Sequence, residues 1–134
     1  MQPNDITSKI ISAIFSVYNA LGPGLLESVY EEALCYEMEK LGLSVERQKE
    51  VDLYYDDVQL HSKLRLDILV ENEVIVEVKS VAELANVHYL QIDTYMRLSK
   101  KRLGIIVNFN TDDIAHSFHR RINSFSTKYR LKNP

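Results

Sequence analysis

The side chains that could do chemistry concentrate in residues 63–80, KLRLDILVENEVIVEVKS. A three-residue turn at Glu71-Asn72-Glu73 would set Val70 opposite Val74, Ile68 opposite Val76 and Leu66 opposite Val78, a wholly apolar face. Asp67 then lies across from Glu77 on the other face, where Arg65 and Lys79 also fall because side chains alternate with period two. Cross-strand neighbours are about 5 Å apart at Cβ. Two carboxylates that close repel unless a cation sits between them. Mg²⁺ suits that position, since it takes one or two carboxylates and keeps its waters. Lys79, two residues beyond Glu77, would lie close to such a water. The set is apt for phosphodiester hydrolysis: the metal polarises a phosphoryl oxygen and acidifies its water, and the lysine stabilises the charge that develops. The same four charges also suit an ion-pair ladder on an exposed sheet face. A two-residue turn would put Asp67 and Glu77 on opposite faces and remove the site.

Two flanking segments bear on that choice. In GLLESVY, Gly24 can supply a positive φ or a close backbone approach. Glu27 and Tyr30, three apart, share a helical face. Glu27 also suits a helix N-terminus on dipole grounds alone. In VHYLQIDTYMR, His88, Gln91 and Tyr95 form a polar stripe at spacings of three and four. That stripe is either the wet side of a helix or the wall of a site. Gln91 and Tyr95 are neutral groups suited to holding a water or a phosphate oxygen.

The elements that must position these residues follow from periodicity. Ile10, Ile14, Val17, Tyr18 and Leu21 predict a helix over 6–20, capped by Asp5 or Thr7. Leu21-Gly22-Pro23-Gly24 is a turn by composition. A second helix is expected over 26–41 on Leu26, Val29, Ala33, Leu34 and Met38, stopped by Gly42. Strands follow over 44–55, 58–71 and 74–79, with turns at Asp56-Asp57 and Asn72. A helix over 81–99 precedes a buried strand over 103–108, and 114–122 reads equally as strand or helix. A helical crossover between the third and fourth strands requires them to run parallel. The expected architecture is an α/β domain with a mixed sheet and helices packed against it. With no repeat, linker or low-complexity tract, residues 1–134 read as one domain.

Composition sets the limits. The chain has 134 residues, 46% hydrophobic and 26% charged, which excludes a disordered or fibrous protein. No apolar run approaches the roughly 20 residues of a membrane span. The N-terminus lacks a signal-peptide design, so a cytoplasmic location is expected. The single cysteine, Cys35, excludes an intrachain disulfide and a cysteine-built zinc site. The net charge of −3 argues against nucleic-acid binding, but the distribution is uneven. Residues 1–60 carry 4 basic and 11 acidic side chains, whereas residues 114–134 carry 5 and 0. Arg120, Arg121, Lys128, Arg130 and Lys132, interleaved with Phe125 and Tyr129, can grip phosphates or simply form a solvated terminus, the basic tail being about 123–134.

Taken together, these residues resemble the GxxExxY family of the PD-(D/E)xK nuclease superfamily. The name motif stands here as Gly24-Leu-Leu-Glu27-Ser-Val-Tyr30. The superfamily core stands as Arg65-Leu-Asp67 followed by Glu77-Val-Lys79, and a QxxxY element as Gln91-Ile-Asp-Thr-Tyr95. Gly104-Ile-Ile-Val-Asn108-Phe109 is similar to the strand after the crossover. The resemblance covers about residues 6–122 and implies a restriction-endonuclease-like core with the site on the central hairpin. It implies Asp67, Glu77 and a main-chain carbonyl near Val78 as ligands for Mg²⁺ or Mn²⁺. Lys79 would be catalytic, with Glu27 orienting a water or helping to hold metal and Gln91 and Tyr95 lining the site. Arg65, Tyr30, His88, Arg120 and Arg121 are the candidate substrate contacts. The expected activity is metal-dependent cleavage of nucleic acid, with DNA as the expected substrate. The alternatives are a catalytically silent binding or assembly module on the same fold, and a homodimer in which one basic tail serves the other subunit's site.

Overall fold

The computed structural model describes residues 1–123. The basic segment at Phe125, Lys128, Tyr129, Arg130 and Lys132 lies outside the described residues. Nine elements follow in order: helix α1 (Pro3–Leu21), helix α2 (Glu27–Lys40), strands β1 (Val45–Tyr55), β2 (Val58–Val70) and β3 (Val74–Lys79), helix α3 (Asn86–Ser99), strand β4 (Leu103–Asn108), a 3₁₀ turn (Ile114–His116) and strand β5 (Phe118–Ile122). The five strands form one mixed sheet in the order β1-β2-β3-β4-β5. All neighbours are antiparallel except β3 and β4, which run parallel on either side of the α3 crossover, as expected. Among the described residues no helix is long and apolar enough to cross a membrane.

The sheet is covered on both faces. α1 and α2 pack on one face through Ile10, Ile14, Leu34 and Met38 against Ile68, Val76, Val78 and Ile105. α3 packs on the other through Ile92 and Met96 against Leu66, Ile75 and Ile106. Double coverage explains why VIVEVK and LGIIVN read as near-continuous apolar runs. Burying each such side chain contributes about 1.5–3 kcal/mol. β1 and β2 continue beyond their neighbours as a two-stranded ribbon, since β2 meets β3 only from Ile68 onward.

Several element boundaries differ from the expectation. α1 begins at Pro3, whose missing N–H suits a first helical position. Asp5 is therefore one turn inside, accepting from the Gln2 N–H at 3.2 Å. Thr7 is buried and donates to the Asn4 carbonyl. Leu26 and Val29 are exposed, and α2 instead buries Tyr30 and Glu31 beside Leu34 and Met38. α3 starts at Asn86 rather than Val81 because the Asn108 carboxamide takes both main-chain groups of Val81: its Oδ1 accepts at 3.0 Å and its Nδ2 donates at 2.9 Å. The ambiguous segment 114–122 resolves into the 3₁₀ turn and β5.

The most consequential difference lies in the central hairpin. The turn at 71–73 is as expected, with Val70 paired to Val74 and Ile68 to Val76, and with Glu71 and Asn72 at positive φ. Alternation along β2 then breaks at Asp67. Ile68 and Val70 pack under α1 and α2, but Leu66 and Leu64 pack under α3. Leu66 therefore does not continue the face of Ile68 and Val78. The same change occurs opposite, in β1, where Gln48 adopts φ +53 and Val51 and Leu53 move to the α3 layer. A local break of this kind re-aims side chains, as bulges do beside active sites.

Candidate functional site

The break at Asp67 opens the β2–β3 ladder where the acids lie. The Asp67 N–H donates to Glu77 Oε2 at 3.0 Å, and Asp67 Oδ2 accepts from the Val78 N–H at 2.9 Å. Side-chain oxygens thus satisfy main-chain donors between these strands. Each carboxylate spends one oxygen this way and keeps the other. Glu77 is 2% exposed, and Asp67 is half-buried.

That environment disfavours two charges. Burial first, and then the neighbouring Asp67 charge, push the Glu77 carboxyl up to about 8. Asp67 is also raised, chiefly by burial, against the opposing pull of the Val78 N–H. Lys79 lowers both without cancelling their desolvation. The pair therefore suits a hard divalent cation, whose charge would offset the repulsion. The described residues include no group of three or more His, Cys, Asp or Glu able to enclose a metal. An ion held by this pair would complete its shell with main-chain, water or substrate oxygens.

Lys79 projects on the α3 side of β3, where Nζ donates to Gln91 Oε1 at 2.8 Å. Gln91 Nε2 in turn donates to the Tyr95 hydroxyl at 3.0 Å. Burial and the Glu77 charge raise the Tyr95 hydroxyl's pKa, keeping it protonated. The stripe on α3 is thus a hydrogen-bonded chain ending on the lysine. His88 departs from it: Nδ1 accepts from the Ala85 N–H at 2.9 Å and caps the start of α3.

Glu27 enters from the first turn of α2 and accepts from the Ser80 N–H at 3.2 Å, while Ser80 Oγ donates to the Leu25 carbonyl at 2.6 Å. These bonds latch the loop before α2 onto the end of β3. Tyr30, expected at the substrate, is instead fully buried. Its hydroxyl donates to the Gly22 carbonyl and accepts from the Leu25 N–H, and its ring stacks on Phe109 at 4.5 Å. Tyr30 closes the loop in which Gly24 takes φ +99, and that loop presents Glu27.

The candidate arginines are dispersed. Arg65 is paired with Glu50 across the ribbon at 3.7 Å. Because Leu64 and Leu66 pack toward α3, Arg65 alternates away from the face of Lys79. Arg121 forks onto Asp93 at 2.9 and 2.6 Å and lies over the Tyr89 ring. Arg120 is exposed on β5.

Three further residues, Glu31, Asn108 and Ser80, support the site. Glu31, one turn after Glu27, is buried and accepts from Arg47 Nε at 2.8 Å and Gln48 Nε2 at 2.7 Å. Its charge helps raise Asp67. The spacing Glu27-x₃-Glu31 signals a shared helical face. Asn108, paired in register with Lys79, holds the segment that follows the lysine. Ser80 carries the latch to Glu27, and no spacing marked it.

Among known protein families, residues 4–122 match the PD-(D/E)XK nuclease superfamily. No curated protein and no solved structure matches the chain.

Proposed function

The chain belongs to the PD-(D/E)XK nuclease superfamily, and on that premise we propose that it is a divalent-metal-dependent nuclease acting on DNA. The observation that supports this most is the buried pair Asp67 and Glu77, each anchored through one carboxylate oxygen, with Lys79 oriented alongside by Gln91. Asp67, Glu77 and the Val78 carbonyl are the groups that would hold Mg²⁺ or Mn²⁺. When bound, the ion supplies polarisation of a phosphoryl oxygen and a more acidic water. Lys79, fixed by the Gln91–Tyr95 chain, donates to a phosphoryl oxygen as negative charge builds on it. Glu27 keeps one carboxylate oxygen beyond its bond to Ser80, and that oxygen orients the attacking water. We assign the chain to the GxxExxY branch, in which Gly24 and Tyr30 shape the loop that delivers Glu27.

The test is incubation of the full chain with labelled single- and double-stranded DNA and RNA in Mg²⁺, Mn²⁺ or chelator. Metal-dependent cleavage is expected, lost in Asp67→Ala and in Lys79→Ala while circular dichroism shows both folded. Equal cleavage by both variants overturns the assignment. Metal-dependent stabilisation without cleavage of any substrate supports the silent binding module instead.

A further inference from the structure

We infer that the cleft beside Lys79 is a subsite for one unpaired nucleotide base carrying an exocyclic amine, so that the substrate is single-stranded where it meets the site. The inference takes from the hydrolytic reading above that a phosphodiester lies at Lys79. The cleft, of about 460 Å³, lies where the segment after Lys79, the end of β4 and the start of α3 converge. Its wall at Asn108 is the register partner of Lys79 on the adjoining strand. A nucleotide next to a phosphate at the lysine therefore has this cleft within reach.

The lining chemistry identifies the occupant. Tyr89 and His119 lie edge to face at 5.6 Å and supply aromatic surface on one side. Neither the Tyr89 hydroxyl nor the His119 ring nitrogens have a hydrogen-bond partner among the described residues. Of the other polar lining groups, Asn108 is held by Val81, the Ser117 hydroxyl donates to Thr111 and to the Asp113 carbonyl, and His116 pairs with Asp113, which leaves the Asn110 carboxamide oxygen and the carboxylates of Glu83 and Asp112 as acceptors. The guanidinium over the Tyr89 ring, that of Arg121, is committed to Asp93. Acceptors without a free cation repel a phosphate and suit a base amino group, which adenine, cytosine and guanine carry and thymine lacks. A base held in a duplex keeps its faces stacked and cannot present one to an aromatic side chain; an unpaired base can.

The test is fluorescence anisotropy of the full chain in chelator, so that nothing is cut, with short labelled oligo-dC, oligo-dT and a duplex. Oligo-dC is expected to bind more tightly than oligo-dT or the duplex. Tyr89→Leu, which keeps apolar bulk, and His119→Ala should each weaken oligo-dC binding about fivefold or more, the scale of one base–aromatic stack. Unchanged melting temperatures would show both variants folded. Equal binding of all three probes, or oligo-dC binding unmoved in both folded variants, overturns the subsite. Cleavage in metal reports separately on the hydrolytic reading. Loss of oligo-dC binding in the variants of a protein that never cleaves would support the cleft and sink the nuclease.

Discussion

Glu77 accepts the main-chain N–H of Asp67 through Oε2, so the second acid is fixed by the backbone of the first. Asp67 answers by accepting from Val78, the residue after Glu77. The two strands are joined here through the groups proposed to hold metal. Chemistry and fold stability therefore meet at one point, and a change in charge there is legible in melting behaviour.

The first expectation concerns pH without metal. Burial and Asp67 raise Glu77 from 4.5 to about 8, so the folded chain binds a proton that the unfolded chain releases. The stabilising proton is fully present below 4.5 and lost as pH climbs toward about 8. In chelator, the melting temperature falls as pH rises through this window. Glu77→Gln can still accept the Asp67 N–H but does not titrate, and it should flatten the slope. A parental slope retained in Glu77→Gln would assign it to other groups.

The second concerns metal. A cation must displace the proton that Glu77 carries, so Mg²⁺ binding strengthens with pH over the same interval. Added at roughly 100 times its dissociation constant, Mg²⁺ should contribute about 2.7 kcal/mol of stability. Thermal melts near pH 8 should show saturable stabilisation, weaker near pH 6 and absent in Asp67→Asn. Stabilisation of Asp67→Asn equal to that of the parent would place the ion elsewhere.

The first four strands, the parallel crossover and the turn at 71–73 were legible because period-two patterning and short turns are local signals, whereas β5 was not told from a helix. The break at Asp67 was not. It depends on Gln48 adopting φ +53 in the neighbouring strand, where Gln48 Nε2 also donates to Glu31. Strict alternation consequently put Arg65 on the face of Lys79 and Leu66 on that of Val78, and both were misplaced. Asn108 was equally hidden, because its bonds to Val81 span 27 positions. Tyr30 and His88 had the right types for a site, yet loop closure and helix capping occupy them.

The Tyr30 hydroxyl sets a third expectation, since it closes the loop before α2. Tyr30→Phe keeps the stack on Phe109 but removes the hydroxyl from the Gly22 carbonyl and the Leu25 N–H. Losing a buried hydrogen-bonding group should destabilise the chain by about 1–3 kcal/mol. Substrate affinity in chelator should stay at the parental level, because the ring does not reach the site. A large loss of binding with unchanged stability would restore Tyr30 to the substrate.

Asn108 supplies the last expectation. Its carboxamide holds the N–H and carbonyl of Val81, while the next residue, Phe109, donates to the Lys79 carbonyl at 3.0 Å. The backbone around the lysine is thus pinned from β4. Asn108→Ala removes the partner of the Val81 N–H and leaves the Val81 carbonyl only the longer bond from Asn110 Nδ2 at 3.3 Å, at a cost of about 1–3 kcal/mol. Asn108→Asp can accept from the Val81 N–H but cannot donate to its carbonyl, and it adds a buried charge, so it should be no better than Ala. If pinning matters to Lys79, both variants lose kcat more than KM at temperatures where they remain folded. Destabilisation with unchanged kcat would confine Asn108 to shaping the loop and uncouple it from the lysine.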